Sequence, residues 1–198
     1  MSQTITVQPH PLRPMRADAR RNYDRLVEVA HEVFTEQGVG ASLEEIARRA
    51  GVGTGTLYRH FPTREALQLA VMEQAFTNQH AYALTLLQRD NAADALDDYI
   101  RYWMRHTAIY KGLAVEAMKA AMEGDTEQMA SSCLLVRVDA ETILTRAQES
   151  GQIRADVTQK DVWRLLHGVV MAVKDTEIDQ DTAAVMVDVI LKGIRTDR

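Results

Sequence analysis

Hydrophobic residues recur along most of the chain at the three- and four-residue intervals of amphipathic helices. The first such stretch, about Ala19–Gln37, has one apolar face, and Gly38 after it provides a helix stop. That face comprises Leu26, Val29, Ala30, Val33 and Phe34. The same spacing predicts later helices over about 63–89, 92–109, 112–123, 126–150, 159–175 and 181–196. The pattern therefore predicts an all-α fold.

Two short helical segments, joined by a glycine turn, follow the first helix. Ser42 with Glu45 three residues later is a capping box, in which each side chain accepts a hydrogen bond from an otherwise unpaired backbone N–H at a helix start. The apolar face of the first segment comprises Leu43, Ile46, Ala47 and Ala50. Gly51 then supplies the positive φ of a sharp turn. Only Leu57 and Phe61 anchor the second segment, so its other side chains are available for another role. These features predict a helix-turn-helix.

The second segment, residues 54–60, has a polar surface suited to DNA. The second helix of a helix-turn-helix enters the major groove with its N-terminal residues against base edges. Thr54 and Thr56 carry hydroxyls for bases or phosphates and methyl groups for thymine. Tyr58, Arg59 and His60 carry donors suited to phosphate oxygens. Gly53 and Gly55 lack a Cβ where the backbone would approach the first segment or DNA.

Composition and charge favour a small DNA-binding head on an acidic body. The chain has 198 residues, 46% of them apolar, and a net charge of −5. Residues 1–64 hold nine Lys/Arg against seven Asp/Glu, whereas residues 65–198 hold fourteen against twenty-one. A secretory signal and an apolar run of membrane-spanning length are both missing, which predicts a cytoplasmic protein with no membrane partner. The single cysteine, Cys133, excludes an intrachain disulfide.

The distribution of proline separates a turn-rich beginning from long uninterrupted helices. All four prolines lie at or before Pro62. We predict a flexible basic arm over 1–17, a helix-turn-helix domain over 18–64 and a helical effector-binding and dimerisation domain over 65–198. Near the end of the chain, Leu165–Val173 and Ala183–Ile194 are apolar almost throughout. Burial on two sides, against the core and a second subunit, explains that composition and predicts a homodimer.

Residues 20–75 resemble the TetR family of transcriptional regulators. The matching residues are Ser42, Ile46, Ala47, Ala50, Gly51, Val52, Gly55, Thr56, Leu57, Tyr58, His60, Phe61, Arg64 and Leu67. Two positions depart from the family pattern: Gly53 stands where a serine often caps the recognition helix, and Arg64 stands where a lysine commonly begins the next helix. Because arginine keeps the positive charge, a phosphate contact is still expected there. The predicted DNA-binding set is Ser42, Gly53, Thr54, Thr56, Tyr58, Arg59, His60 and Arg64.

The resemblance also implies a function for the second domain. It implies a four-helix dimer interface built from the last two helices and a ligand cavity between the body helices. Trp103, His106 and His167 are the residues expected to line that cavity, which suits a small apolar or aromatic effector. The chain is then a repressor that binds a palindromic double-stranded operator as a dimer and is released by ligand. No catalytic residue, cofactor or metal is predicted.

Two alternatives stay open at this point. One is a helix-turn-helix regulator that needs no effector, or that activates transcription. The other is a helical-bundle metal enzyme, suggested by the Glu-x-x-His pair Glu28 and His31, although such sites need a second pair and further glutamates.

Overall fold

The computed structural model describes residues 17–109, 126–175 and 180–196. Within these ranges the chain forms eight α-helices. They are α1 (Ala17–Gln37), α2 (Leu43–Arg49), α3 (Thr54–His60), α4 (Arg64–Leu86), α5 (Ala92–Ile109), α6 (Thr126–Glu149), α7 (Gln159–Asp175) and α8 (Gln180–Ile194). The predicted all-α class is confirmed. The predicted helix over 112–123, and all but the last residue of the predicted arm, lie outside the described residues.

The described residues divide into two compact units. The head unit holds residues 17–74 and 126–133, and the body unit holds 75–109, 134–175 and 180–196. The division falls within α4, about ten residues after the predicted domain boundary. None of the described helices is both long and apolar enough to cross a membrane.

In the head unit, α2 packs against both α1 and α3. The buried face of α1 comprises Leu26, Val27, Ala30, Val33 and Phe34. Val27 takes the place predicted for Val29, which is only partly buried. Gly38 ends α1 with a φ of +82°, and its N–H donates to the Phe34 carbonyl. Both observations fit a left-handed C-terminal stop, which glycine adopts without steric cost.

The helix-turn-helix forms with the predicted bounds. The apolar face of α2, Leu43, Ile46, Ala47 and the adjoining Ala50, is buried. Gly51 has a φ of +70°, so the turn uses the left-handed conformation that the sequence predicts. Leu57 and Phe61 are both buried, and they fix α3 against the rest of the head unit.

In the body unit, α5, α7 and α8 pack together, and α7 contacts both of the others. Their shared core also takes in side chains from α4 and α6. Its largest fully buried members are Tyr99, Ile100, Leu86, Ile143, Ile153 and Leu166. An antiparallel bridge joins Ile153 to Arg195 after α8. The Arg195 guanidinium binds the carboxylates of Asp94 and Asp97 on α5, which ties the last described residues to the bundle.

Candidate DNA interface and ligand region

The outer surface of α3 is polar and open to solvent. Thr54 and Arg59 are exposed, Tyr58 is 44% exposed and Thr56 is partly buried. Since the chain buries only Leu57 within this helix, the other side chains contribute little to the head unit's core. The geometry matches the arrangement predicted for a recognition helix.

Gly53 is the N-cap residue of α3 and has an extended backbone, with φ −70° and ψ 148°. Any residue can adopt that conformation. A Cβ added at Gly53 or Gly55 would have no protein atom within 4 Å. The prediction that these glycines allow close approach to the first segment is therefore wrong. A role in close approach to DNA stays a prediction.

Ser42 begins α2 through half of the predicted capping box. Its hydroxyl accepts a hydrogen bond from the Glu45 backbone N–H at 3.3 Å and donates to the Glu44 carboxylate at 2.7 Å. The Glu45 carboxylate does not complete the box, because it instead accepts hydrogen bonds from Arg48 and Arg49 at 2.7 to 2.8 Å. The hydrogen bonds from these two guanidinium groups lower the pKa of Glu45 to about 2.

Tyr58 approaches α2 as well as facing solvent. Its hydroxyl lies 3.4 Å from the Glu44 carboxylate, to which it donates a long hydrogen bond. The pKa of Glu44 is lowered, first by the Ser42 hydroxyl and to a smaller extent by Tyr58. The hydroxyl predicted to contact a phosphate thus has an intramolecular acceptor, on a residue fourteen positions earlier in the chain.

His60 is held by aromatic neighbours. Its ring lies 6.1 Å from Tyr23 in an edge-on arrangement and 6.2 Å from Phe61. Tyr23 of α1 also packs on Phe61, with ring centroids 4.9 Å apart. The expectation that His60 is free of packing is wrong, because it is half-buried at the end of α3. Its proposed contact with DNA must come from the part of the ring that remains accessible.

Arg64, at the first position of α4, bonds the loop between α1 and α2. Its Nη1 donates to the Ala41 carbonyl at 2.5 Å and to the Val39 carbonyl at 3.3 Å. Gln68, one turn further along α4, donates from Nε2 to the same Val39 carbonyl at 3.2 Å. The sequence predicted a phosphate contact for Arg64 and did not predict these backbone partners, which lie more than twenty residues away in the chain.

Two of the three residues predicted to line a ligand site lie together in the body unit. Trp103 of α5 stacks on Trp163 of α7 with centroids 5.0 Å apart, and His167 lies 5.2 Å from Trp103. Tyr99 extends this group, 6.4 Å from Trp163. We call Tyr99, Trp103, Trp163 and His167 the tryptophan stack. It offers flat aromatic faces with one exposed imidazole at its edge.

His106 belongs to a different aromatic group. Its ring lies 4.2 Å from Tyr102, which in turn stacks on Tyr82 of α4 at 4.6 Å. The structure does not bring His106 into the tryptophan stack. Residues four apart on a helix share a side more closely than residues three apart do, so His106 follows Tyr102 and not Trp103.

Buried polar groups lie where α4, α5 and α6 meet. Tyr99 donates its hydroxyl to the Val136 carbonyl at 3.1 Å and accepts from Gln79 Nε2 at 2.9 Å. Beside them, His80 Nδ1 lies 2.8 Å from the carboxylate of Asp139. Burial raises the pKa of Asp139, and the hydrogen bond with His80 partly opposes that rise. These contacts fix three helices of the body unit.

The space beside the tryptophan stack is small. A cavity of about 10 Å³ is lined by Tyr99, Trp163 and Gln159 together with apolar side chains of α5, α6 and α7. That volume is about the space of one water molecule. The larger depression, about 570 Å³, is an open surface region lined by Arg154, Lys192, Gly193, Arg195 and Thr196. Ligand sites are commonly about 300–1,000 Å³ and enclosed, and neither of these two spaces has both properties.

The last two helices expose large apolar side chains. Leu165 and Met171 on α7, and Val185 and Val189 on α8, are each at least half exposed. They fall in or beside the two segments whose composition predicts burial on two sides. Among the described residues, no three His, Cys, Asp or Glu side chains are placed to share a metal ion.

A helix-turn-helix head with an exposed polar second helix, followed by a helical unit, defines a class of DNA-binding transcriptional regulators. Two family models match the chain: "Bacterial regulatory proteins, tetR family" over residues 26–71, and "Transcriptional regulator SbtR-like, C-terminal domain" over residues 91–196. The chain belongs to the TetR family of transcriptional regulators.

Solved structures extend the similarity over the whole fold. A TetR transcriptional regulator from Streptomyces coelicolor is 31% identical, with a TM-score of 0.72, over 89% of this chain and 99% of that one. A TetR transcription regulatory protein from Mycobacterium vanbaalenii is 36% identical, with a TM-score of 0.67, over 92% and 100%.

A curated relative matches a shorter part of the chain. A helix-turn-helix-type transcriptional regulator from Staphylococcus aureus is 44% identical over 61 residues, which are 30% of this chain. The matched part spans about a third of that relative, 33% of its length.

Proposed function

We propose that this regulator binds a palindromic operator as a homodimer, represses transcription and is released by a small apolar or aromatic ligand. The observation that carries the proposal is the exposed polar surface of α3 above its two buried anchors, Leu57 and Phe61. In this proposal residues 18–64 form the DNA-binding domain, and residues 65–198 form the effector-binding and dimerisation domain.

Each side of α3 has its own role in the proposed complex. Thr54 and Thr56, in the first turn, read base edges in the major groove. Tyr58, Arg59 and the accessible edge of His60 contact phosphates, which fix the register of the helix without reading sequence. Ser42 lies at the start of α2, where the first helix of such a motif crosses the DNA backbone. Tyr58 exchanges its long hydrogen bond with Glu44 for a phosphate oxygen when DNA binds.

A palindromic operator requires two heads, and the exposed apolar residues of α7 and α8 support a homodimer. Val185 and Val189 lie one turn apart on α8, and both are more than 60% exposed. Four large apolar side chains exposed on two helices form the kind of surface that a second subunit covers. A two-fold dimer through these helices presents two recognition helices to successive major grooves, about 34 Å apart.

The tryptophan stack supports an effector site in the body unit. Aromatic faces with one polar group at the edge suit a flat apolar or aromatic molecule. A TetR-like regulator from Mycobacterium smegmatis, 20% identical to this chain, has been solved in complex with proflavine, a small molecule. Because the cavity beside the stack holds about one water molecule, ligand binding here would separate packed helices, and so would favour a changed conformation.

The test begins with selection of bound duplexes from a random-sequence pool by the purified full chain. The recovered site is expected to contain an inverted repeat. Thr54→Ala should then change which duplexes bind, by about 1–3 kcal/mol for a lost base contact. Tyr58→Phe should weaken binding to all duplexes by a similar factor, because a phosphate donor carries no sequence information.

Fluorescence anisotropy with the recovered duplex and with single-base variants of it measures both effects. Thr142→Ala, which removes an exposed threonine hydroxyl from α6 in the body unit, is the matched control and should bind like the unmodified protein. Unchanged affinity and specificity in both α3 variants would show that α3 does not lie in the groove. If no ligand that stabilises the protein changes its affinity for the recovered duplex, the effector-independent regulator is favoured.

A further inference from the structure

Two side chains at the start of α4 bond the loop that leads into the helix-turn-helix. Arg64 reaches the carbonyls of Val39 and Ala41, and Gln68 reaches that of Val39. Gln68 is only 7% exposed, so its amide has no access to a DNA molecule outside the protein. We call these two side chains and their three hydrogen bonds the α4 clamp.

The loop that the clamp holds determines where α2 begins. Ala41 immediately precedes Ser42, the N-cap residue of α2, and the Ser42 carbonyl accepts the first helical N–H from Ile46. Displacement of the Ala41 carbonyl therefore displaces the first turn of α2. Since α3 is joined to α2 by the sharp turn at Gly51, α3 moves with it.

Besides the clamp, burial of the Ala41 side chain and one hydrogen bond within the loop hold it in place. The Ala41 N–H donates a hydrogen bond to the Gly38 carbonyl at 3.1 Å, and Gly38 adopts the left-handed conformation that ends α1. A carbonyl accepting from a guanidinium forms a charge-assisted hydrogen bond, stronger than one between neutral groups. Arg64 thus supplies a charge-assisted contact between the loop and α4.

From this geometry we infer that Arg64 and Gln68 are positioning residues for DNA binding: they set the angle of the helix-turn-helix relative to the first turns of α4, and they do so without contacting DNA. The inference rests on the proposed role of α3 in the operator complex. It replaces the phosphate contact that the sequence predicted for Arg64, because Nη1 of the guanidinium already donates to two backbone carbonyls.

Salt dependence separates a positioning residue from a phosphate contact. Each phosphate contact contributes about 0.9 to the slope of log affinity against log salt concentration. Arg64→Leu and Gln68→Leu should each weaken binding to the selected duplex by about tenfold, equivalent to about 1.4 kcal/mol. Neither should change the slope. Arg59→Leu, on the exposed surface of α3, should lower the slope by about one.

Two control variants match the changes in charge and in side-chain type. Arg105→Leu removes an exposed arginine from α5, and Gln88→Leu removes an exposed glutamine after α4. Both should bind the duplex as the unmodified protein does. Affinities are measured well below the unfolding temperature of each variant, so that a loss of stability alone leaves the affinity of the folded protein unchanged.

Amide hydrogen exchange tests the clamp without DNA. In Gln68→Leu, the amides of α2 and of residues 38–42 should exchange faster than in the unmodified protein, while those of α7 and α8 keep their rates. This local loss of protection is what a released loop predicts.

Three results would overturn the inference. A salt slope that falls by about one in Arg64→Leu would make Arg64 a phosphate contact. Wild-type affinity in Gln68→Leu, measured on folded protein, would show that the clamp does not position α3. If the unmodified protein selects no duplex, the operator proposal fails. Amide hydrogen exchange then tests the clamp separately, and unchanged rates in α2 of Gln68→Leu would reject it.

Discussion

A charge placed on the exposed face of α8 should dissociate the proposed dimer without unfolding the subunit. Val189 is 66% exposed in the protomer, so Val189→Glu adds a carboxylate where water already reaches. Within a dimer built on α7 and α8 the same carboxylate would be buried against an apolar surface. The change therefore distinguishes a surface residue from an interface residue.

The size of the effect follows from that exposure. Complete burial of a valine contributes about 1.5–3 kcal/mol, so covering two-thirds of Val189 contributes about 1–2 kcal/mol per subunit. A carboxylate removed from water without a partner costs several kcal/mol more. Because a two-fold interface contains the residue twice, the total loss is at least about 5 kcal/mol, more than about a thousandfold in the dimer Kd.

Sedimentation velocity over a nanomolar to micromolar range measures this shift, and circular dichroism confirms that the variant is folded. Val138→Glu, on α6, is the matched control, since Val138 is 48% exposed but lies outside the two interface helices. Val169→Glu is unsuitable as an interface probe because Val169 is buried in the subunit's own core. If Val189→Glu sediments as a dimer, or the unmodified protein is monomeric at micromolar concentration, the interface is placed wrongly.

Two further changes probe the body unit. Tyr99→Phe removes a buried hydroxyl with two hydrogen bonds, one of them from Gln79, and should lower the free energy of unfolding by about 1–3 kcal/mol. Tyr102→Phe is the control and should leave thermal unfolding nearly unchanged. Equal melting temperatures for Tyr99→Phe and the unmodified protein would refute the role of these hydrogen bonds. Trp103→Ala should reduce ligand-induced release from the operator in anisotropy titrations while retaining ligand-free DNA binding, whereas His106→Ala should keep the response; the opposite pattern would move the ligand to the other aromatic group.

Much of the fold was predictable because its signals are local. The predicted bounds of α2 and α3 depend on a capping residue, a glycine turn and two apolar anchors, all within twenty residues. The long helices follow from uninterrupted periodicity after Pro62. On α1 the prediction named Val29, whereas Val27 is buried: the two lie on either side of the same apolar stripe, and periodicity alone does not choose between them.

The site was harder to predict because its details depend on contacts between distant residues. Arg64 meets carbonyls 23 and 25 residues earlier in the chain, and His60 meets the ring of Tyr23. Periodicity indicates which side of a helix is polar, but not which acceptor a particular donor finds. The pairing of Trp103 with Trp163 likewise depends on how α5 packs against α7.

The stability of α3 comes from its surroundings more than from its own sequence. Seven residues are too few for an isolated helix to be stable in water. Its N-cap is a glycine with no side chain to bond the first turn, and only Leu57 is buried within it. Its orientation must therefore come from Phe61 packed on Tyr23 and from α2, whose start is held by the α4 clamp. A regulator built in this way can change its DNA affinity through residues that never contact DNA, because a small displacement of so weakly anchored a helix alters every contact in the groove at once.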